Sequence, residues 1–474
     1  MNLGVGRPRP PGPSGGFPSF LSRVPGVEWP AILSDRGAML WALMERLDRS
    51  QWLTPDDLAA GQAEQLAQLF AHARSRSPFH RPRLPDRPPA ARELLARGLS
   101  GIPVLTRGDL QDHAEAIMVA PPPTHGPVVL ARSSGSTGRM VAVGRTALCQ
   151  LFWEGLVLRE HFWHGRDFSG TLAVTRANLG YGGGPTRVSQ ADWGPPVAEL
   201  FRSGPAHGIS LRTDVATQAD WLAAIDPHYL TTYPTNLAAL LDRYEARGVS
   251  AGRLKQVRSI GETLAPELRE RCRRVLSVPV VDAYSAEEVG IIAAQCPESG
   301  LYHAQAENLI VEVLDDAGRP CGPGETGRVV VTDLHNFATP LIRYDLGDHA
   351  EVAGPCPCGR GLPALRRILG RSRNMAILPD GRRFWPLTGA YSYRDVAPIR
   401  QYQMVQRTLD TLVLRYAADE PLTGDQAAAL VPLIRRAMDY PFRVEFEFHP
   451  GELPRSPAGK FEEFICLVRQ GERP

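Results

Sequence analysis

Apolar residues recur along this chain in two rhythms. From Gln62 onward, Leu66, Leu69, Phe70 and Ala73 fall three or four positions apart, which predicts an amphipathic helix with that stripe buried. Short apolar runs without helical spacing follow at "TLAVT" (from Thr171), "VPVVDAY" (from Val278), "NLIVEVL" (from Asn308) and "GRVVVTD" (from Gly327), and they predict strands. The helix-like segments "TNLAALLDRYEARG" and "APELRERCRRVL" lie between some of them, an alternation that points to α/β layers. Beyond about Gly370 the texture changes: "TLVLRY" and "FRVEFEF" alternate with period two around a helical "DQAAALVPLIRRAM". A small α+β unit is expected there.

The length, 474 residues, exceeds what one hydrophobic core usually organises. The expected class is therefore α/β, with a large multi-sheet N-terminal domain and a small mobile α+β C-terminal domain. Residues 1–30, rich in Pro, Gly and Arg, read as a flexible arm; 31–370 form the large domain and 371–474 the small one. A formal net charge of +2, with basic residues scattered among acids, argues against nucleic acid as a partner. No apolar run reaches the roughly 18 residues of a membrane span, and the opening lacks a signal-peptide core, so a cytoplasmic protein with no membrane association is expected. Seven cysteines in so long a chain make no dense disulfide framework and suggest thiols or metal ligands.

Candidate chemistry is concentrated in a few loops. "SSGSTGR" combines Gly135 and Gly138, which permit unusual backbone angles, with the hydroxyls of Ser133, Ser134, Ser136 and Thr137. Such a loop can turn successive amides toward phosphate oxygens, or it can be an ordinary solvated connection. Only two residues separate its glycines, so it is not a Walker loop. "DAYSAEEVG" (from Asp282) offers Tyr284 as a stacking surface and Glu287 as a carboxylate for Mg²⁺; alternatively, Tyr284 is core and the acids are solvated. Asp348 follows the glycine of "RYDLGD", where its oxygens could accept a ribose diol or simply stabilise a turn. "GRSRN" (from Gly370) and "LPRSPAGKFEE", with Lys460 after a glycine, complete the series.

In that order, these motifs resemble the adenylate-forming superfamily, in particular its phenylacetate-coenzyme A ligase-like branch. "LFAHARSRSPFHRPRL", "IPVLTRGDL" and "IGETL" add to the likeness, which runs from about Leu66 to the C-terminus. The resemblance implies that Ser133, Ser134, Gly135, Ser136, Thr137 and Gly138 wrap the phosphates of ATP. It also implies that Gly261, Glu262 and Thr263 line the adenine with Tyr284 stacked on it, beside Asp282. Glu287 would hold Mg²⁺, Asp348 the ribose, and Arg371 the nucleotide near a hinge. Lys460 would reach in from the small domain to stabilise charge as the acyl-adenylate forms. The small domain is then expected to rotate about "ILGRSRNM" so that coenzyme A can attack the adenylate. Arg139, Arg373 and Asn374 depart from the usual residues of the phosphate loop and hinge, and the acidic pair after Lys460 departs from the usual basic residue.

Cys296 and His303, with Cys356 and Cys358 of "GPCPCGRGLP", offer a Cys₃His shell suited to structural Zn²⁺, with Cys321 as the spare thiol and reduced cysteines as the alternative. Short members of the branch resemble this layout. By the same resemblance the acyl pocket would include Asn178, Tyr181, Tyr233 and Asn236, and the substrate would be an aryl or heteroaryl carboxylic acid. A carrier-protein thiol or an amine is the alternative acceptor, and a non-catalytic nucleotide-binding scaffold is the alternative of another class. An acyl carrier protein partner and a homodimer are expectations by analogy.

Overall fold

A computed structural model describes residues 19–133, 141–176, 179, 184–211, 213–248, 252–371, 376–380, 383–384, 393, 396–438, 440–451, 453 and 462–468. Helices α1 (Asp35–Ser50) and α2 (Pro55–Arg76) come first. The stripe Leu66, Leu69, Phe70 and Ala73 of α2 is buried, and removing a Leu or Phe side chain from water stabilises the fold by about 2–3 kcal/mol. Thr54 caps this helix by accepting the Asp57 N–H at 3.2 Å, and Pro55 occupies its first turn, where a missing N–H costs nothing. Short helices α3 (Ala91–Arg97), α4 (Arg107–Asp112) and α5 (Ala114–Ile117) lead to an antiparallel hairpin of β1 (Val128–Ser133) and β2 (Val141–Thr146).

The chain then alternates as the apolar pattern predicts. Helix α6 (Ala147–Trp163) precedes β3 (Leu172–Arg176), β4 (Arg187–Gln190), α7 (Val197–Leu200) and β5 (Ala206–Ser210). After these come α8 (Val215–Ile225), β6 (Tyr229–Thr232), α9 (Pro234–Arg247), β7 (Gln256–Ser259), α10 (Pro266–Leu276) and β8 (Val280–Ala286). Strands β5, β3, β6, β7 and β8 are neighbours and parallel. A parallel sheet needs both faces covered. Leu222 of α8, Leu237 and Leu240 of α9 and Leu276 of α10 pack on one face against Ala173, Leu230 and Val257, while Leu40, Leu151 and Leu200 of α1, α6 and α7 share a core with Tyr229 on the other.

Beyond β8 the same sheet turns antiparallel through β9 (Gly290–Gln295), β10 (Tyr302–Ala304), β11 (Leu309–Leu314), β12 (Thr326–Asp333), β13 (Tyr344–Val352) and β14 (Ala364–Arg371). The multi-sheet arrangement expected from the sequence takes the form of one twelve-stranded sheet, ordered β11-β12-β13-β14-β10-β9-β8-β7-β6-β3-β5-β4, plus the separate hairpin. The two halves join because β8 pairs with β7 on one edge and β9 on the other.

A short pair, β15 (Ala376–Ile377) and β16 (Arg383–Phe384), precedes β17 (Gln401–Gln406), β18 (Thr411–Ala417), α11 (Gly424–Ala437), β19 (Arg443–His449) and β20 (Phe464–Cys466). The last four strands form a sheet β19-β18-β17-β20 with its own core, including Met404, Leu412, Leu414, Leu430, Ile434 and Phe442. The architecture is thus α/β with a large sheet and a smaller C-terminal α+β domain. One expectation is corrected at the other end: the arm read as flexible to residue 30 is docked from Phe20, whose ring stacks on Phe201 at 5.1 Å and meets Trp41 edge-on. The aromatic wedge outweighs the Pro and Gly content around it.

Candidate active site

Strand order locates a crevice. From β3 the chain leaves through α7 to β5 on one face of the sheet, then crosses on the other face through α8 to β6, so the winding direction reverses between β3 and β6. Ligands of open α/β sheets bind at the carboxyl ends of the strands beside such a reversal. Arg176 ends β3; Tyr233 follows β6 and starts α9; Gly261 and Glu262 follow β7; Glu287 follows β8.

Several of the expected nucleotide residues meet there. The Tyr284 hydroxyl donates to Asp348 Oδ2 at 2.8 Å, bringing the proposed stacking ring and ribose acceptor together across β8 and β13. Asp348 lies directly opposite Arg371 in the β13–β14 ladder. The neighbouring Gly347 adopts φ +74°, a left-handed turn that a side chain would strain. Gly261 takes φ +76° in the same way, and Thr263 is exposed two residues later. Glu262 Oε2 accepts both the backbone N–H of Thr235 at 3.0 Å and its hydroxyl at 2.8 Å. That carboxylate therefore ties the turn after β7 to the first turn of α9, where a negative charge is favoured. Glu287 is exposed at the crevice, while its neighbour Glu288 is buried with Arg107 3.5 Å away.

Two expected contacts stand elsewhere. Asp282, expected beside the nucleotide, is buried: Tyr302 donates to Oδ2 at 2.8 Å and the Ser259 hydroxyl to Oδ1, and burial raises its pKa above the ordinary carboxylate value. It bridges β7, β8 and β10 from below the crevice. Asn236, expected in the acyl pocket, is also buried, its amide donating to Gln218 Oε1 at 2.9 Å and Thr232 Oγ1 at 3.1 Å. One turn into α9, it points into the helix–sheet layer and pins α8, β6 and α9 together. Ser134, Gly135, Ser136, Thr137, Gly138, Asn178, Tyr181 and Lys460 lie outside the described residues, as do the Ser133 and Arg371 side chains and the departures Arg139, Arg373 and Asn374.

Behind the crevice is an ion cluster that the sequence did not reveal. Glu160 of α6, fully buried, accepts from Arg166 Nη2 at 2.9 Å and from Arg258 Nε at 2.7 Å. Burial opposes its charge, but the two guanidinium groups outweigh this and hold its carboxyl well below the ordinary range. Arg258 is the residue before Ser259, so the cluster anchors the end of β7 just before the Gly261 turn.

The four candidate zinc ligands converge. Ligand atoms of Cys296, His303, Cys356 and Cys358 all lie within 4.8 Å of one another. Cys296 Sγ and Cys356 Sγ are 3.9 Å apart and Cys358 Sγ is 3.3 Å from His303 Nε2. Two thiolates on one tetrahedral zinc, each bonded at about 2.3 Å, would stand roughly 3.8 Å apart. The His303 Nδ1 atom is 3.3 Å from the Leu362 carbonyl, which selects Nε2 as the metal-facing nitrogen. Burial opposes the Cys296 thiolate, yet the His303 ring and Ser299 bring its pKa down to about 5, whereas burial pushes Cys358 up to about 11. Arg360 lies between the rings of Trp52 and Trp163, at 5.0 and 4.7 Å, and donates to Gln51 Oε1 at 2.9 Å, fastening the cluster to the α1–α2 junction. The spare thiol, Cys321, is packed instead beside the core of the antiparallel half.

The AMP-binding enzyme family pattern matches residues 200–338, the span from the end of α7 past β12. A phenylacetate-coenzyme A ligase of Thermus thermophilus is 26% identical over 452 residues, covering 88% of this chain and 98% of that one. One of Escherichia coli K12 is 26% identical over 346 residues, covering 70% and 75%. Among solved structures, a 2-hydroxyisobutyryl-CoA ligase in the postadenylation state superposes with a TM-score of 0.64 at 18% identity, covering 85% and 88%, a likeness of fold. The matched pattern and these relatives support the adenylate-forming superfamily as the class to which this chain is similar. Within it, the sequence similarity is to phenylacetate-coenzyme A ligases, at 26% identity.

Proposed function

We propose that the protein is an AMP-forming acid–thiol ligase that activates an aryl or heteroaryl carboxylic acid with ATP and transfers the acyl group to coenzyme A. The observation that carries this reading is the Tyr284–Asp348 pair at 2.8 Å, set beside the exposed Glu287 at the carboxyl end of the parallel strands. The carboxylate oxygen of the acid attacks the α-phosphorus, forming the acyl–phosphate anhydride while the bond to pyrophosphate breaks. The thiol then adds to the acyl carbon, loses its proton, and AMP departs. Tyr284 and Asp348 orient the nucleoside, and Glu287 would hold Mg²⁺, which when bound neutralises charge on the phosphates. The lid boundary near residue 370 and the hinge rotation belong to the same proposal. Glu462 and Glu463 after Lys460 keep a carrier-protein thiol or an amine as the second reading of the acceptor.

The test is acid-dependent pyrophosphate exchange across a panel of carboxylic acids, followed by AMP release on adding coenzyme A, a phosphopantetheinyl carrier or amines. Exchange with an aryl acid and AMP release with coenzyme A are the expected outcomes; absence of exchange with every acid would overturn the reading.

The Cys₃His cluster would hold structural Zn²⁺, closing the β9–β10 turn onto the segment between β13 and β14. One zinc per chain by elemental analysis is expected, together with a lowered thermal midpoint after chelation. A zinc-free preparation with an unchanged midpoint and full activity would rule the site out. No helix among the described residues is long and apolar enough to cross a membrane. All seven cysteines are free, which supports a cytoplasmic, reducing location.

A further inference from the structure

The structure carries a charged group at the reversal point that none of the roles above uses. Arg176 is the last residue of β3 and lies opposite Ser210 on β5. On its other side, Val174 pairs with Thr231 of β6, so two residues further along the parallel register Arg176 comes beside Tyr233. Its side chain shares a sheet face with Leu172 and Val174, the face that also carries Arg258. The two arginines differ in company: Arg258 is neutralised by Glu160, whereas no described carboxylate lies within 4.0 Å of the Arg176 guanidinium. Glu287 and Tyr233 are near enough to favour its charge. Arg176 is open to solvent at its surface, yet the surrounding protein desolvates it enough to lower its pKa.

Position across the sheet tells which part of a ligand it would meet. Tyr284 is on β8, and β7 and β6 intervene before β3, so three strand spacings of about 4.8 Å put Arg176 roughly 14 Å across the sheet from it. A nucleotide seated against Tyr284 and Asp348 occupies the β8 side. The reacting carboxyl must meet its α-phosphate there, which leaves the far end of the acid toward β3. We infer that Arg176 is a specificity-determining residue of the acid pocket and pairs with a second carboxylate, at the end of the acid distal to the one that is activated. This rests on the adenylation reading and names its substrate class: diacids in preference to their mono-acid counterparts. A guanidinium suits the task because its planar fork matches a carboxylate with two parallel hydrogen bonds.

The experiment is pyrophosphate exchange with the full chain, ATP and Mg²⁺, using matched acids: benzoate against isophthalate and terephthalate, and phenylacetate against its ring-carboxylated analogues. Each pair is measured on the wild type, Arg176→Met and Arg176→Lys. The expected result is a wild-type preference for a diacid that falls on the order of 10²-fold in kcat/KM in Arg176→Met, the scale of truncating one partner of a desolvated ion pair. KM for the diacid carries the loss, exchange with the mono-acid holds within a few-fold, KM for ATP is unchanged, and Arg176→Lys recovers part of the preference. Equal losses on both acids of a pair, or a wild type that shows no preference for the diacid over its mono-acid counterpart, overturns the role of Arg176 while adenylation stands. Exchange with no acid at all overturns adenylation and the Arg176 role together.

Discussion

Lys460→Ala is expected to lower acyl-adenylate formation by about two to three orders of magnitude, the cost of losing one preorganised donor to developing charge. As the acid oxygen closes on the α-phosphorus, negative charge builds between two anions that repel each other, and an ammonium bridging them stabilises the transition state more than the separated ground state. In the proposed mechanism Lys460, in the segment "PRSPAGK", would supply that charge, while the Tyr284–Asp348 pair and Glu287 belong to the large sheet. ATP binding should therefore survive in Lys460→Ala, and so should thioester formation from preformed acyl-adenylate. Rapid-quench measurement of the adenylate separates the half-reactions. An unchanged adenylation rate would remove Lys460 from the mechanism.

The elements that were legible in the sequence are those in which local pattern and tertiary demand agree. The Leu66–Ala73 stripe became the buried face of α2, and "NLIVEVL" and "GRVVVTD" became paired neighbours β11 and β12. The Cys-x-Cys segment could be matched with Cys296 and His303 because ligand chemistry restricts which side chains can gather. Asn236 and Asp282 were misplaced for one shared reason. Asn236 follows the carboxyl end of β6, and Asp282 in β8 is level with Ser259 at the carboxyl end of β7, where polar residues suggest ligand contact, but residue order alone does not say whether a side chain turns outward or into the layer below. Satisfying a buried amide through Gln218 and Thr232, or a buried carboxyl through Ser259 and Tyr302, is a structural use of the same residue types. Arg176 had a signal that went unused: a lone cation ending the apolar run "TLAVT". Long-range pairs such as Glu160 with Arg258, 98 positions apart, leave no local trace at all.

That unsignalled pair is where the largest loss of stability is expected. Glu160→Leu strips the carboxylate from between Arg166 and Arg258 and leaves one buried and one part-buried guanidinium without their shared partner, so the native state should lose on the order of 3–5 kcal/mol. A marked fall in thermal midpoint checks this, with the exposed Glu420→Leu as the control that should barely move. The loss also has a sign in pH. Because the folded-state pKa of Glu160 is depressed, its contribution is complete above the ordinary value of 4.5 and fades as pH falls toward the depressed one. The wild-type midpoint should therefore drop more steeply than that of Glu160→Leu as pH is lowered from 5 to about 3, so that the two curves converge in acid. Function should follow stability here, since Arg258 immediately precedes Ser259 and the turn at Gly261. At temperatures well below the midpoint, Glu160→Leu should raise KM for ATP more than it lowers kcat, because a loosened β7 misplaces the turn and leaves Tyr284, Asp348 and Lys460 untouched. Parallel pH curves for the two proteins would show that the folded-state pKa of Glu160 is not displaced from its ordinary value, and that its ion pairs do not add to stability.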